Sequence, residues 1–313
     1  MYNYVIYHKG CIDGFTSFII LHKSGKINAG AKIYPDVPFA KVPPPDIKGK
    51  DVIIMDVAYK YDILKYIFAE AKTVLFIDHH ITSHKNVIKL QKEPSPSVTI
   101  IYDEHECGAS LVWKHLSKEP LPLFVEYVKD NDIALWKMDY TYELIAGLDA
   151  NYDMSSNPRN IQKWIKLFDA AKLDKIIKDG KFYMKYINKI VEKEARKYSV
   201  ELFPSQRLYE DFSDFFDKPA QYKVGVFCGA CSNIGLIANQ ITMNSKCDFV
   251  IMWTLNLETK EYVLTFRSNY VNVENIAYTL FKGGGHTGAA SCGMPMSKYN
   301  IADLFFPKSL PRR

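Results

Sequence analysis

The chain has 313 residues, of which 48% are hydrophobic and 24% charged, with a formal net charge of +5. That balance excludes a disordered chain, and the length leaves room for two ordinary domains with their own cores. The mildly basic charge admits an anionic substrate, no polybasic run marks a nucleic-acid arm, and no apolar stretch reaches the roughly 18 residues that span a bilayer.

The N-terminal stretch, residues 1–8, lacks the basic start and apolar core of a secretory leader, so a cytoplasmic protein outside any membrane is expected. Residues 4–7 read as a strand and 15–23 as a helix. A fully apolar strand follows at 51–55, after the proline cluster 43–45, which enforces an extended loop. Residues 62–71 form an amphipathic helix with Ile63, Leu64, Ile67 and Phe68 on one face. Strands are expected at 73–77 and 99–102, and helices at 109–116 and 123–128. Strands apolar on both faces and separated by helices predict an α/β fold, a doubly wound and mainly parallel sheet.

Residues 160–200 look wholly helical and rich in Lys, with Ile187, Ile190, Val191 and Ala195 in a stripe, and read as a solvated connector. The pattern then restarts: strands at 222–228, 249–254 and 261–266, helices at 233–243 and 275–281, and a glycine run. The expected organisation is a catalytic domain over 1–150, a helical connector over 151–205 and a smaller α/β domain over 206–313, with the active site in the cleft between the domains. Six cysteines scattered over the chain do not form a disulfide framework. Cys228 and Cys231 have the spacing of half a zinc site, but without a second pair they read as a buried or helix-start pair.

Chemistry gathers where the N-terminal strands end. The first runs into His8 and Asp13, the second into Asp56, and the third into Asp78, His79 and His80; Asp130 and Asp132 follow a later helix. Ligands of open α/β sheets bind beyond the carboxyl ends of the strands. A single strand-end Asp is more often a cap, and a lone His more often structural. Together they form a set whose mutual repulsion divalent cations relieve, and mixed carboxylate and imidazole donors suit Mn2+, with Mg2+ and other ions less selectively served. Gly283, Gly284 and Gly285 before His286 let backbone approach an anion, and Arg267 adds a bidentate fork; a loop after a helix stop is the plainer reading of the glycines alone.

Asp78-His79-His80 after an apolar strand resembles the signature of the DHH phosphoesterases. The segment from His8 through Asp13 to Phe15 resembles that family's first motif, Asp56 its second, and Lys129-Asp130-Asn131-Asp132 its fourth. Phe266-Arg267-Ser268 and Gly283 to Ala290 resemble the DHH-associated domain of the nano-RNase and exonuclease branch. The resemblance implies two divalent cations. His8 and Asp56 would hold the first, and Asp13, Asp56, His79 and Asp130 the second, with Asp56 bridging. Asp78 would orient an imidazole, and His80 would approach the substrate phosphate. Arg267, Ser268, the three glycines and His286 would bind phosphate or nucleotide. One departure matters: many family members carry a second aspartate where Cys11 stands. Cys11 is either a ligand for a softer ion or, the favoured reading, a small apolar filler, and Asp132 is an alternative to Asp130.

The expected function is a metal-dependent phosphodiesterase or exonuclease acting on short oligonucleotides or small nucleotides, cyclic dinucleotides included, with no obligate protein partner. Hydrolysis of pyrophosphate or polyphosphate is the alternative, and a nucleotide-binding module without catalysis is the reading from another class.

Overall fold

The computed structural model describes residues 1–90, 97–229 and 233–307. Two compact units divide the chain, Met1–Lys185 and Tyr186–Arg313. The first contains β1 (Tyr2–His8), α1 (Ile12–Lys23), β2 (Ile27–Asp36), β3 (Asp51–Met55), α2 (Tyr61–Glu70), β4 (Thr73–Asp78), α3 (Ile81–Leu90) and β5 (Ser97–Tyr102). There follow α4 (Gly108–Leu116), α5 (Leu123–Asp132), α6 (Thr141–Asn151), α7 (Pro158–Ile165) and the start of α8 (Leu173–Glu194). The strands are all parallel, in the order β2-β1-β3-β4-β5.

Alternation along each strand builds the two layers. Val5, Tyr7, Ile53, Met55, Leu75 and Ile77 face one core, with Phe15 and Phe18 of α1, Val112 of α4 and Val125 of α5. Tyr4, Ile6, Val52, Ile54, Val74 and Phe76 face the other, with Leu64 and Ile67 of α2 and Val87 and Leu90 of α3. Helices thus cover both faces, as a parallel sheet requires and as the apolar runs predict. Because β1 lies between β2 and β3, the strand order reverses at β1/β3, and a crevice opens at such a switch point. β2 carries no strand signal strong enough to read from sequence: it is mostly half-buried, and its Pro35 is tolerated because the strand lies on the sheet edge.

The structure corrects the wholly helical, solvated connector expected over residues 160–200. Ile161, Trp164, Leu167, Leu173 and Ile176 are buried in the first unit's core, and Ser199–Phe203 is a strand, β6. Two glycines make the docking possible. A Cβ on Gly180 of α8 would collide with the carbonyl of Glu143 in α6, and one on Gly147 of α6 would collide with the carbonyl of Ile176 in α8. The helices therefore touch backbone to backbone. The six lysines of α8 are exposed and mask its inward stripe in the composition. The division between units falls inside α8.

In the second unit, α9 (Gln206–Asp211), β7 (Tyr222–Cys228), α10 (Ile234–Ser245), β8 (Phe249–Asn256), β9 (Glu261–Arg267), α11 (Val273–Phe281), β10 (Gly284–His286) and β11 (Ala289–Pro295) follow β6. Its sheet has the order β10-β11-β9-β8-β7-β6 and is antiparallel except for β7/β8. One face buries Phe249, Ile251, Leu264 and Phe266 under α11, and the other buries Val250 and Met252 under α10 and Val191 of α8. Cys228 is exposed, and Cys231 lies outside the described residues.

Replacing Gly180 by Ala forces the α6/α8 crossing apart. The expected loss is about 1–3 kcal/mol of unfolding free energy, measured by urea denaturation of the variant against the parent.

Candidate metal centre

Four chain segments meet at the carboxyl ends of β1, β3 and β4, which are neighbours in the sheet. β1 ends on His8. The chain turns at Gly10, in the left-handed region with φ +71, and α1 begins with Asp13 in its first turn. Gly14 allows that turn to lie against the end of β1, since a Cβ there would sit 2.6 Å from the Cβ of His8. β3 delivers Asp56, itself left-handed at φ +61, with its N–H donating to the Ile77 carbonyl at 2.9 Å. Asp tolerates that backbone better than most residues. β4 ends on Asp78, whose Oδ1 accepts from the His79 backbone N–H at 2.8 Å and lies 2.7 Å from His80 Nδ1. The loop into α3 is thereby folded back so that both imidazoles stay at the sheet edge.

Asp13 is held from the opposite side. The N–H groups of Gly108 and Ala109, at the start of α4, donate to its two oxygens at 2.6 and 2.8 Å. A helix N-terminus is a natural seat for a carboxylate. Gly108 has a second reason to be glycine: a Cβ would lie 2.7 Å from the Cβ of Asp56 and 2.9 Å from Asp13 Oδ2.

The resulting donors form two groups sharing Asp56. Its Oδ2 lies 3.5 Å from His8 Nδ1, and its Oδ1 lies 3.1 Å from His79 Nε2. His79 Nε2 is also 3.8 Å from Asp13 Oδ2 and 3.3 Å from Asp132 Oδ2. Ligand atoms of His8, Cys11 and Asp56 lie within 4.8 Å of one another, and so do those of Asp13, His79 and Asp132. A third such group, Asp56, Asp78, His79 and His80, overlaps both.

Asp132, not Asp130, belongs to this cluster, which corrects the expectation for Asp130. The Asp130 carboxylate accepts from the backbone N–H of Lys137 at 2.8 Å and of Met138 at 3.3 Å, and from the Thr141 hydroxyl at 2.6 Å. It organises the loop into α6. Two residues apart on one helix, the two carboxylates point to different sides, and nothing local says which side faces the sheet. The donating N–H groups of Gly108 and Ala109 could not be read from the sequence, because their role arises only across 95 and 96 residues of chain.

Electrostatics reflect the crowding. Burial pushes Asp13 well above the carboxylate range, and the charges of Asp56 and Asp132 add to it. Burial likewise raises Asp132. For Asp56 burial is outweighed by the His79 hydrogen bond and by the imidazoles of His79 and His80 beside it, which hold it far below that range. His79 loses some basicity to burial, but Asp132, Asp56 and Asp13 together push it up to about 10. Burial opposes the ionisation of Asp78, yet the His80 charge and hydrogen bond pull it down. Meanwhile Asp56 Oδ2, Asp132 Oδ2 and His8 Nδ1 are buried without a hydrogen-bond partner among the described residues. Buried carboxylate and imidazole atoms converging on shared points, with lone pairs unused, fit divalent cations.

In the second unit, His286 of β10 pairs with Ala289 of β11, which pairs with Arg267 of β9. The two side chains therefore share one face of the sheet, two strand spacings or about 10 Å apart. That face is opposite Phe266 and the core under α11. Ser268 has a structural task, its hydroxyl donating to the Asp248 carbonyl at 2.7 Å and accepting from the N–H of Val271 at 2.9 Å. The glycine run is not a free loop. Gly284 and Gly285 lie in β10, and a Cβ on Gly283 or Gly285 would strike a carbonyl of β11.

No family model matches the chain. An uncharacterized protein of Acanthamoeba polyphaga mimivirus, R106, is 23% identical over 302 residues, covering 91% of this chain; the chain spans 66% of that relative's length. Among solved structures, the pGpG-specific phosphodiesterase PggH of Vibrio cholerae aligns over 95% of this chain and 94% of its own, at 18% identity and a TM-score of 0.47. An uncharacterized protein of Helicobacter pylori G27 aligns over 93% and 92%, at 14% identity and a TM-score of 0.33.

Two outcomes are expected. Gly108→Ala pushes on Asp13 and Asp56 together, so divalent-cation affinity falls about 10–100-fold, measured by calorimetric titration. The second concerns pH. His79 is raised from 6.5 to about 10, so its protonation stabilises the cation-free fold below about 6.5 and that contribution is lost as pH rises through 10. Asp13 is raised and has the same sign. Cations need both groups deprotonated. The rise in Tm on adding Mn2+ should therefore grow from about pH 6 to about pH 8. Asp56, shifted downward, contributes nothing to this trend in that range.

Proposed function

We propose that the chain is a divalent-metal-dependent phosphodiesterase of the DHH superfamily, of the nano-RNase and exonuclease type, acting on short oligonucleotides or small nucleotides. The observation that carries this reading is Asp56, a buried carboxylate whose two oxygens face two separate donor groups. Such sharing suits a pair of cations and has no use in a structural sheet edge.

His8 and Asp56 would hold one cation, with Asp13, Asp56, His79 and Asp132 holding the other; Mn2+ suits the oxygen-rich second set. Bound there, the pair supplies Lewis acidity toward a phosphoryl group and a water nucleophilic at neutral pH. The chain's own residues do the rest. Asp78 fixes the ring of His80 through Nδ1, and that imidazole would meet a phosphate oxygen or the leaving group. The Gly108 and Ala109 N–H groups keep Asp13 ionised and aimed when its counter-charge is in place. On the second unit, Arg267 and His286 offer a fork and an imidazole on one sheet face for a terminal phosphate.

The test is incubation with Mn2+ and labelled dinucleotides, short RNA and DNA, cyclic dinucleotides and pyrophosphate. Release of mononucleotides supports the reading; phosphate from pyrophosphate alone transfers the case to a pyrophosphatase; no turnover of any substrate favours a binding module. Asp56→Ala should abolish turnover and cost the protein both ions in metal analysis. His286→Ala should raise KM about tenfold, roughly 1.4 kcal/mol, while kcat changes little.

A further inference from the structure

We propose that Cys11 ligates, as a thiolate, the cation held by His8 and Asp56, so that the first metal position is a sulfur, nitrogen and oxygen site. The inference rests on the two-cation reading and deepens it, because it makes the two positions chemically unlike.

Placement comes first. The Cys11 Sγ and one donor atom each of His8 and Asp56 lie within 4.8 Å of one another. Gly10 turns the chain back between His8 and Cys11, and Gly14 brings the first turn of α1 against His8, so both donors stand at one spot. Cys11 is the N-cap residue of α1, at the turn between His8 and Asp13.

A second observation is independent of the cysteine. Asp56 is 1% exposed, and its Oδ2 has no hydrogen-bond partner among the described residues; His8 Nδ1, 3.5 Å away, has none either. Both atoms are aimed into the space that Cys11 completes. A small apolar filler, by contrast, belongs among apolar side chains. Cys107 has that setting, buried in the core between α1 and α4. Cys11 is half-buried and belongs to neither apolar core of its unit.

Thiolate with imidazole and one shared carboxylate selects Zn2+, Co2+ or Fe2+ over Mn2+ and Mg2+. The second position, with three carboxylates and one imidazole, keeps the harder preference. On binding, the Cys11 S–H bond breaks, its proton passes to solvent, and the sulfur pair forms the bond to the cation.

The experiment uses the full chain, stripped by a chelator and reloaded with Co2+ or Zn2+. Expected are a near-ultraviolet thiolate-to-cobalt charge-transfer band and, in X-ray absorption of the zinc form, a sulfur neighbour at about 2.3 Å. Cys11→Ser should lose both signals, and Cys11→Asp should bind two ions with neither signal, showing that the site survives without sulfur. Two bound ions in the parent without either signal overturn the thiolate and leave the two-cation reading standing. A band that persists in Cys11→Ser assigns the sulfur to another cysteine and also overturns it. A parent chain that binds no ion overturns both.

Discussion

Carboxylates taken out of water repel one another, and the N-terminal unit is organised around that cost. Asp13, Asp56, Asp78 and Asp132 converge on the imidazoles of His8, His79 and His80 at the end of a parallel sheet, and three of the four are almost wholly buried. An arrangement of this kind stands only if positive charge or directed N–H groups oppose the repulsion. The protein uses both. The start of α4 presents N–H groups to Asp13, the turn after β4 presents them to Asp78, and Asp56 is left to face His8 and His79. Asp13 and Asp78 thus have directed N–H partners, and Asp56 stands between two donor groups.

The fold supplies this convergence because parallel strands all end on the same edge. β1, β3 and β4 stand side by side, so residues far apart in sequence arrive within a few ångströms. Glycines then set the fine spacing. Gly14 admits α1 to the end of β1, and Gly108 admits α4 to Asp56. Neither is a flexible element; each is the absence of a Cβ where two backbones meet. The same device recurs where α8 crosses α6 and where β10 runs beside β11. Close approach of backbone is thus the common means by which this chain places its polar groups.

The candidate metal ligands lie at the ends of strands and helices rather than on long loops. Elements of this kind hold donor atoms in place before an ion arrives, which lowers the cost of ordering them on binding. The raised pKa values of Asp13 and His79 and the lowered one of Asp56 describe one cluster in which protons partly balance the charge that cations would balance better. In the second unit, strand register alone brings Arg267 and His286 to one face, with Ala289 between them as a small spacer.

The sequence by itself determined the doubly wound sheet, since apolar runs such as 51–55 and 73–77 can only be strands buried on both faces. It also marked His8, Asp13, Asp56 and the Asp78-His79-His80 run, because polar residues that abruptly close a buried strand must stand at its end. Tertiary structure decided what depends on distant backbone. It chose Asp132 over Asp130, because the rotation of α5 against the sheet follows from packing and not from the local pattern. It folded residues 158–176 into the first core through Gly147 and Gly180, whose contact exists only when two helices cross. It turned the glycine run before His286 into an edge strand, because a partner strand was there to take it. Side-chain periodicity is written in the chain, whereas the identity of the neighbour that a backbone meets is not.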